Sequence, residues 1–487
     1  MKKSSRRVAP TRRGVLRAGG MIAAATLAPH AGRAAVGPIM ATLSDYMSAA
    51  RERPLPDDVV EKAKHHVLDT LAAMISGTEL APGRAAHTFA RAYGGEKIAT
   101  VVGANFLTGP IEAALANGML AHADETDDSH APSLSHPGSA IVPAALAMGE
   151  QFGIGGVAFL RAVTLGYDIG PRVTMCLGIP ALSRERHQSS HSIAGVFGAA
   201  AAAASAAGLD ARQMRWLIDY TAQQSSGIAA WQRDTDHIEK AFVFAGMPAR
   251  SGVTAALLVR AGWTGIDDVL SGPDNFLLAH GAEASAGKLT EQLGERYEVT
   301  RTNIKKWSVG SPIQAPLDAL ELLFKQRAFA ADAVREVTVR LGTRSASVVD
   351  NRDIPDICLQ HMVAVMLIDR TVSFKAAHDV ARMQDPAVQR ERAKVKLVPD
   401  EELERRAPRR EAIVEVALAD GSVLRQHVEA VRGTADNPMP REEVLAKCRD
   451  LVAPVLGAAK AASLIEHVLG TERMKHMGEL RPLLQKG

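Results

Sequence analysis

The chain has 487 residues, 47% of them hydrophobic and 23% charged, the balance of a folded protein large enough for two domains rather than of a disordered one. A formal net charge of +3 over that length gives no basis for nucleic-acid binding. The three dispersed cysteines, Cys176, Cys358 and Cys448, support neither a zinc ribbon nor a disulfide framework.

The first 35 residues read as an export signal. Paired Arg12 and Arg13 in TRRGVLR precede a weakly apolar run from Gly19 to Ala28, and small residues end it near Ala34. This layout suggests the twin-arginine route, hence a periplasmic protein. That run is too short to span a bilayer, and no later stretch offers about 20 uninterrupted apolar residues, so no membrane contact is expected after signal removal.

From about Ala41 the pattern is helical. DDVVEKAKHHVLDTLAAMISG opens on Asp57 and Asp58, repeats apolar residues at helical spacing and stops at Gly77, where a glycine cap is expected. GPIEAALANGMLAHA has Pro110 in its first turn and an apolar face of Ile111, Leu115 and Met119. HPGSAIVPAALAMGEQFG and GVFGAAAAAASAAGL read as small-residue helices, and the helical run extends to about Gly272. Low aromatic content (4%) with abundant alanine and glycine fits close helix packing.

The texture then changes. VREVTVRLG alternates as a strand should, and EAIVEVALADGSVLRQHVEAV holds two alternating runs around Asp420-Gly421, a strong hairpin signal. LQHMVAVMLIDRTVS is a helix between them, and PDEELERRAPRRE reads as an exposed charged linker or loop. After GTADNPMP the helices resume in REEVLAKCRDLVAPVLG and AASLIEHVLGTE. The predicted fold is mostly α with an α+β insert. It comprises a signal peptide (1–35), a first helical part (36–275), an α+β domain (276–433) and C-terminal helices (434–487) that rejoin the helical domain.

The ionisable residues gather in four places. HADETDDSHAPSLSHPGSA puts three histidines and four acids into its first fifteen positions. It can hold a metal, move protons or simply solvate a helix end; it has no HExxH and no compact ligand spacing. SRERHQSSHSIAGVFG places Arg184, Arg186, His187 and His191 before a helix, suited to an anion or to plain capping. The lack of a preceding strand and of GxGxxG argues against a dinucleotide. The third and fourth groups hold Asp234, Asp236, His237, Lys240 and Arg250, and Lys305, Lys306, Trp307 and Gln314. Together these proton carriers and dispersed cations suit proton abstraction beside a carboxylate. No GxSxG elbow supports a serine hydrolase.

Several of these residues, in order, resemble the MmgE/PrpD family, which includes 2-methylcitrate dehydratase, cis-aconitate decarboxylase and an iminodisuccinate epimerase. They are Asp127-Asp128-Ser129-His130 with His136-Pro137-Gly138, GVFGAAAAAA at 195–204, Lys240 with Gly246 and Ala249, IKKW...LDAL at 304–320, and ADNPMPREEVLAKC. The resemblance implies a helical domain built from both ends of the chain, an α+β lid, a homodimer and chemistry without a cofactor or metal. It also implies a site lined by Glu125, Ser129, His136, Lys240 and Lys305, with His191 a further match. In that reading His136 is the acid/base, Glu125 and Asp128 orient or share the proton, and Ser129, His191, Lys240 and Lys305 bind a small carboxylate. Glu125 and Ser129 depart from the family's usual Asp and Thr, and Gln314 stands where many members have histidine. The expected activity is a hydro-lyase on a hydroxylated or unsaturated di- or tricarboxylate. An epimerase working by α-proton exchange and a non-catalytic carboxylate binder are the alternatives.

Overall fold

A computed structural model describes residues 36–281 and 284–486, so the signal peptide read at 1–35 lies outside the described residues. Helix α1 (Asp57–Gly77) begins with two acids in its first turn, where the helix dipole favours negative charge. Gly77 is its last helical residue and not a left-handed cap. A Cβ there would lie 2.2 Å from the Leu120 carbonyl oxygen, so glycine is required by the close approach of α2 (Pro110–Ala121).

Helices α3 (Pro137–Phe152), α4 (Gly156–Leu177) and α6 (Met247–Arg260) pack around α5 (Ser190–Ala207), whose residues are all buried. A run of alanines lets the neighbours approach closely, and Gly170 of α4 lies so near that a Cβ would sit 2.3 Å from the Ala194 carbonyl oxygen. The stretch Ile238–Arg260, which includes α6, is long and apolar enough to cross a membrane by composition, yet 61% of its apolar window is buried inside the protein. Its apolarity is used in the core.

The α+β part centres on a four-stranded sheet of β1 (Val334–Gly342), β2 (Val395–Asp400), β3 (Ala412–Leu418) and β4 (Val423–Val428), in the order β2-β1-β3-β4. β3 and β4 form the expected hairpin, with Gly421 at φ 87° in the turn. β1 pairs parallel with β2 and antiparallel with β3. Helices α7 (Ser311–Gln326) and α8 (Leu359–Asp369) cover the sheet, and their apolar faces close one core with β1 and β3. The segment read as a charged linker corrects that expectation. Its first residues end β2, and Asp400 then caps a one-turn helix, Glu401–Arg405, through bonds from the Glu402 and Leu403 amides.

Helices α9 (Arg441–Leu456) and α10 (Ala458–Leu469) pack against α1, nearly 400 residues earlier in the chain. By contacts, Gly37 onward forms one compact unit that includes both the helices and the sheet.

Candidate active site

The loop between α2 and α3, residues 122–136, is pinned from several sides. Helix α2 ends at Ala121, so the loop side chains are not arrayed at helical spacing. Asp128 accepts hydrogen bonds from His66 Nδ1 (2.8 Å), the Tyr167 hydroxyl (2.5 Å) and the Gly138 amide (3.0 Å). A Cβ on Gly138 would meet Thr70, Tyr167 and Asp128 at under 3 Å, which explains glycine after His136-Pro137. Ser129 exchanges backbone bonds with Asn303 (3.0 and 2.8 Å), which joins the loop to the segment carrying Lys305. At the loop's centre, Lys447 of α9 donates to the Thr126 carbonyl at 2.9 Å and pairs with Asp69 at 2.6 Å.

Asp127, not Asp128, is the partner of His136, which corrects the role read for Asp128 in sharing the proton. Its carboxylate takes His122 Nδ1 at 2.8 Å and His136 Nδ1 at 3.0 Å, one on each oxygen. Burial alone would raise the Asp127 pKa, but His122, His136 and Lys305 hold it well below the carboxylate range. Burial drives the His136 pKa below that of a free imidazole against the pull of Asp127. A neutral ring that donates from Nδ1 leaves Nε2 with a lone pair for proton transfer.

Glu125 faces two ammonium groups. Lys240 Nζ bonds its Oε1, while Lys305 Nζ lies 3.6 Å from Oε2, 2.7 Å from the Glu125 carbonyl oxygen and 3.5 Å from Asp127. Burial opposes ionisation of Glu125, yet Lys240 and Lys305 keep its pKa well below normal. His191 is buried and stacks on Phe244 with centroids 3.8 Å apart, and its ring centroid is 5.2 Å from that of His136. Burial first, then the neighbouring His136, holds its pKa well below 6.5. His187 is exposed, so His191 is the histidine of that stretch at the site. His237, in a left-handed conformation at φ 65°, is pushed down to about 3, first by burial and then by Lys240.

A second histidine–carboxylate group approaches from the α+β part. His378 Nε2 lies 3.0 Å from Asp124 and 4.0 Å from Asp356. Burial would depress His378, but the Asp124 hydrogen bond and both carboxylate charges push it up to about 9. Asp356 is raised to about 7, chiefly by burial and then, against His378, by Glu125 and Asp124.

Beside Lys305 opens a cleft of about 250 Å³ whose wall includes Ser129, Lys305, Gln314 and Arg410. Glu125, His136, His191 and Lys240 are not in that wall; Lys305, which is, contacts Glu125 and Asp127. Gln314 turns inward to bond the Trp307 and Val309 carbonyl oxygens and the Trp307 amide, which fixes the Lys305 segment. Two triads, His122–Asp127–His136 and His122–Glu125–His237, bring possible metal-ligand atoms within 4.8 Å. Their carboxylates already face Lys240 and Lys305, so a divalent ion would enter only by displacing an ammonium group.

The structure therefore gathers six of the seven candidate residues, Glu125, Ser129, His136, His191, Lys240 and Lys305, around this centre, with Asp128 held behind it as an anchor. Sequence reading missed His122 and Asp127 as participants, although both stand in the opening cluster. It also missed His378 and Asp356, which are single polar residues with no local pattern to mark them.

Residues 41–287 match the MmgE/PrpD N-terminal domain and residues 307–471 match the MmgE/PrpD C-terminal domain, so the chain belongs to the MmgE/PrpD family. It is 26% identical over 469 residues to cis-aconitate decarboxylase of Aspergillus terreus, covering 88% of this chain and 92% of that protein. It is 24% identical over 458 residues to cis-aconitate decarboxylase of Homo sapiens, covering 88% and 91%. A cis-aconitate decarboxylase-like protein of Aspergillus oryzae is 28% identical over 330 residues, covering 63% of this chain and 66% of that protein.

Proposed function

We propose that this protein is a lyase acting on an unsaturated or hydroxylated polycarboxylate, with its own side chains supplying the acid/base chemistry. The observation that carries the reading is His136, with Nδ1 fixed by Asp127 and Nε2 left available, beside Lys240 and Lys305. The ammonium groups hold a carboxylate and offset the negative charge that grows on it as the α-carbon loses its proton or carbon dioxide. His136 Nε2 takes or returns the proton at that carbon, and Asp127 stabilises the imidazolium that results. Family membership and relatives named as cis-aconitate decarboxylases support carbon–carbon or carbon–oxygen bond cleavage. Elimination of water is the reading drawn from the sequence, with epimerisation its alternative, and the names of the relatives add loss of carbon dioxide.

The deciding experiment follows cis-aconitate, citrate and 2-methylcitrate by proton NMR in deuterated water with the purified protein. Loss of carbon dioxide or water from one of them supports a lyase. Deuterium uptake at an α-carbon without net product moves the protein to the epimerase class, and binding without exchange or turnover defeats the enzymatic reading. A homodimer and periplasmic delivery complete the proposal; light scattering and cell fractionation check them.

A further inference from the structure

Arg410 is a cation that the proposed chemistry leaves unused. Its side chain is half-buried and lines the cleft together with Ser129 and Lys305. The other arginines of that wall are placed differently: Arg301 is tied to Glu298, Arg432 to Glu443 and Asn437, and Arg409 is exposed. Arg410 has no hydrogen-bond or ion-pair partner among the described residues. The carboxylate that acts on it is Glu125, which Lys240 and Lys305 already hold.

The backbone fixes Arg410 in place. Glu411, the next residue, is buried and accepts from Arg406 Nη1 and His427 Nε2, both at 3.0 Å. Ala412 then opens β3 in register with Val428. Arg410 thus projects from an anchored sheet end. A guanidinium drawn partly out of water without a counter-ion is unfavourable, and its planar fork matches a carboxylate. The side-chain hydroxyl of Ser129 and the side-chain carboxamide of Asn303, on the same wall, also lack protein partners among the described residues, and Ser311 presents the N-terminus of α7 to the cleft.

We propose that Arg410, with the Ser129 hydroxyl, forms a second carboxylate subsite, so that the substrate carries at least two carboxylates, one at Lys305 and the other at Arg410. This rests on the reading above that places the reacting carboxylate at Lys305. It adds that the α+β part selects substrates by charge number.

Isothermal titration of the full-length protein, Arg410→Gln and Arg410→Lys with mesaconate and crotonate, a di- and a monocarboxylate of similar carbon skeleton, tests it. Wild type should bind mesaconate at least about tenfold tighter, as loss of one charge-assisted pair implies. The gap should close in Arg410→Gln and partly reopen in Arg410→Lys, with ligand-free melting temperatures unchanged. A gap absent from wild type, one that persists in Arg410→Gln, or one lost only together with a fall in melting temperature in both variants overturns the subsite. Failure of the lyase reading looks different: the Arg410-dependent gap survives while no polycarboxylate is turned over or exchanged.

Discussion

The two walls of the site treat charge in different ways. In the wall built from residues 122–136, His191 and Lys240, each carboxylate already has partners inside the protein: Asp127 with two histidines, Glu125 with Lys240, Asp128 with His66 and Tyr167. In the wall built from residues 301–314 and 408–436, Lys305 reaches inward while Arg410 faces the cleft without a protein partner among the described residues. The first arrangement sets protonation states before anything binds, and the second attracts an anion. On the proposed function, proton chemistry falls to the helical part, while anion capture is shared by Lys240, Lys305 and Arg410.

The sharpest way to break this contrast is to remove the proton carrier. His136→Asn should lower kcat by about 10²- to 10⁴-fold while KM changes little, measured by steady-state turnover of whichever polycarboxylate proves active. An unchanged kcat would move acid/base chemistry out of the first wall. The adjacent aspartates sharpen the same contrast. Asp127→Asn should reduce kcat by about 10²-fold or more by freeing the two imidazoles, and should also lower the melting temperature, because its depressed pKa marks the ionised form as stabilising. Asp128→Asn should leave kcat nearly intact while lowering stability by about 3 kcal/mol, because its buried partners His66, Tyr167 and the Gly138 amide lose part of their hydrogen-bond acceptor. Calorimetry with parallel kinetics distinguishes them, and equal loss of kcat in both variants would erase the distinction drawn between them.

A smaller effect is expected at Lys240. Lys240→Met should raise KM by about tenfold, with a lesser change in kcat, if the ammonium chiefly binds a carboxylate. A pure kcat loss would place it in the proton chemistry instead. The smallest effect concerns His378. Its folded pKa of about 9 lies above the ordinary 6.5, so its contribution to stability is complete below 6.5 and is lost as pH rises through 9. Asp356, raised to about 7 from 3.8, adds a decline between those values, because the folded state keeps a proton that the unfolded chain releases. His378→Gln should flatten the upper part of that profile in thermal melts from pH 6.5 to 9.5. A wild-type melting temperature constant across that range would remove His378 as a charged link.

Much of the fold was legible because its signals are local. The periodicity of α1, the Asp-Gly hairpin and the alanine run of α5 each announce themselves within twenty residues or so. Strand β2 was not legible: its pairing with β1 is parallel and its second half runs into a charged stretch, so no hairpin turn marks it. In the site, the cluster at 122–136 stood out as a concentration of ionisable groups, but the choice between Asp127 and Asp128 depends on α1 and α4, which deliver His66 and Tyr167 to Asp128. Arg410 was hidden in the supposed linker, where one arginine among several looks like surface charge.

Lys447 gives the molecule an order of assembly. Its bond to the Thr126 carbonyl joins residues 321 positions apart. During synthesis, loop 122–136 emerges long before that lysine, so a nascent chain can build α1 to α5 while the bridge from α9 is still missing. The bridge closes only after α9 has left the ribosome and docked on α1. Translation arrested before residue 447 should therefore yield a protein rich in helix whose proton centre lacks its last support.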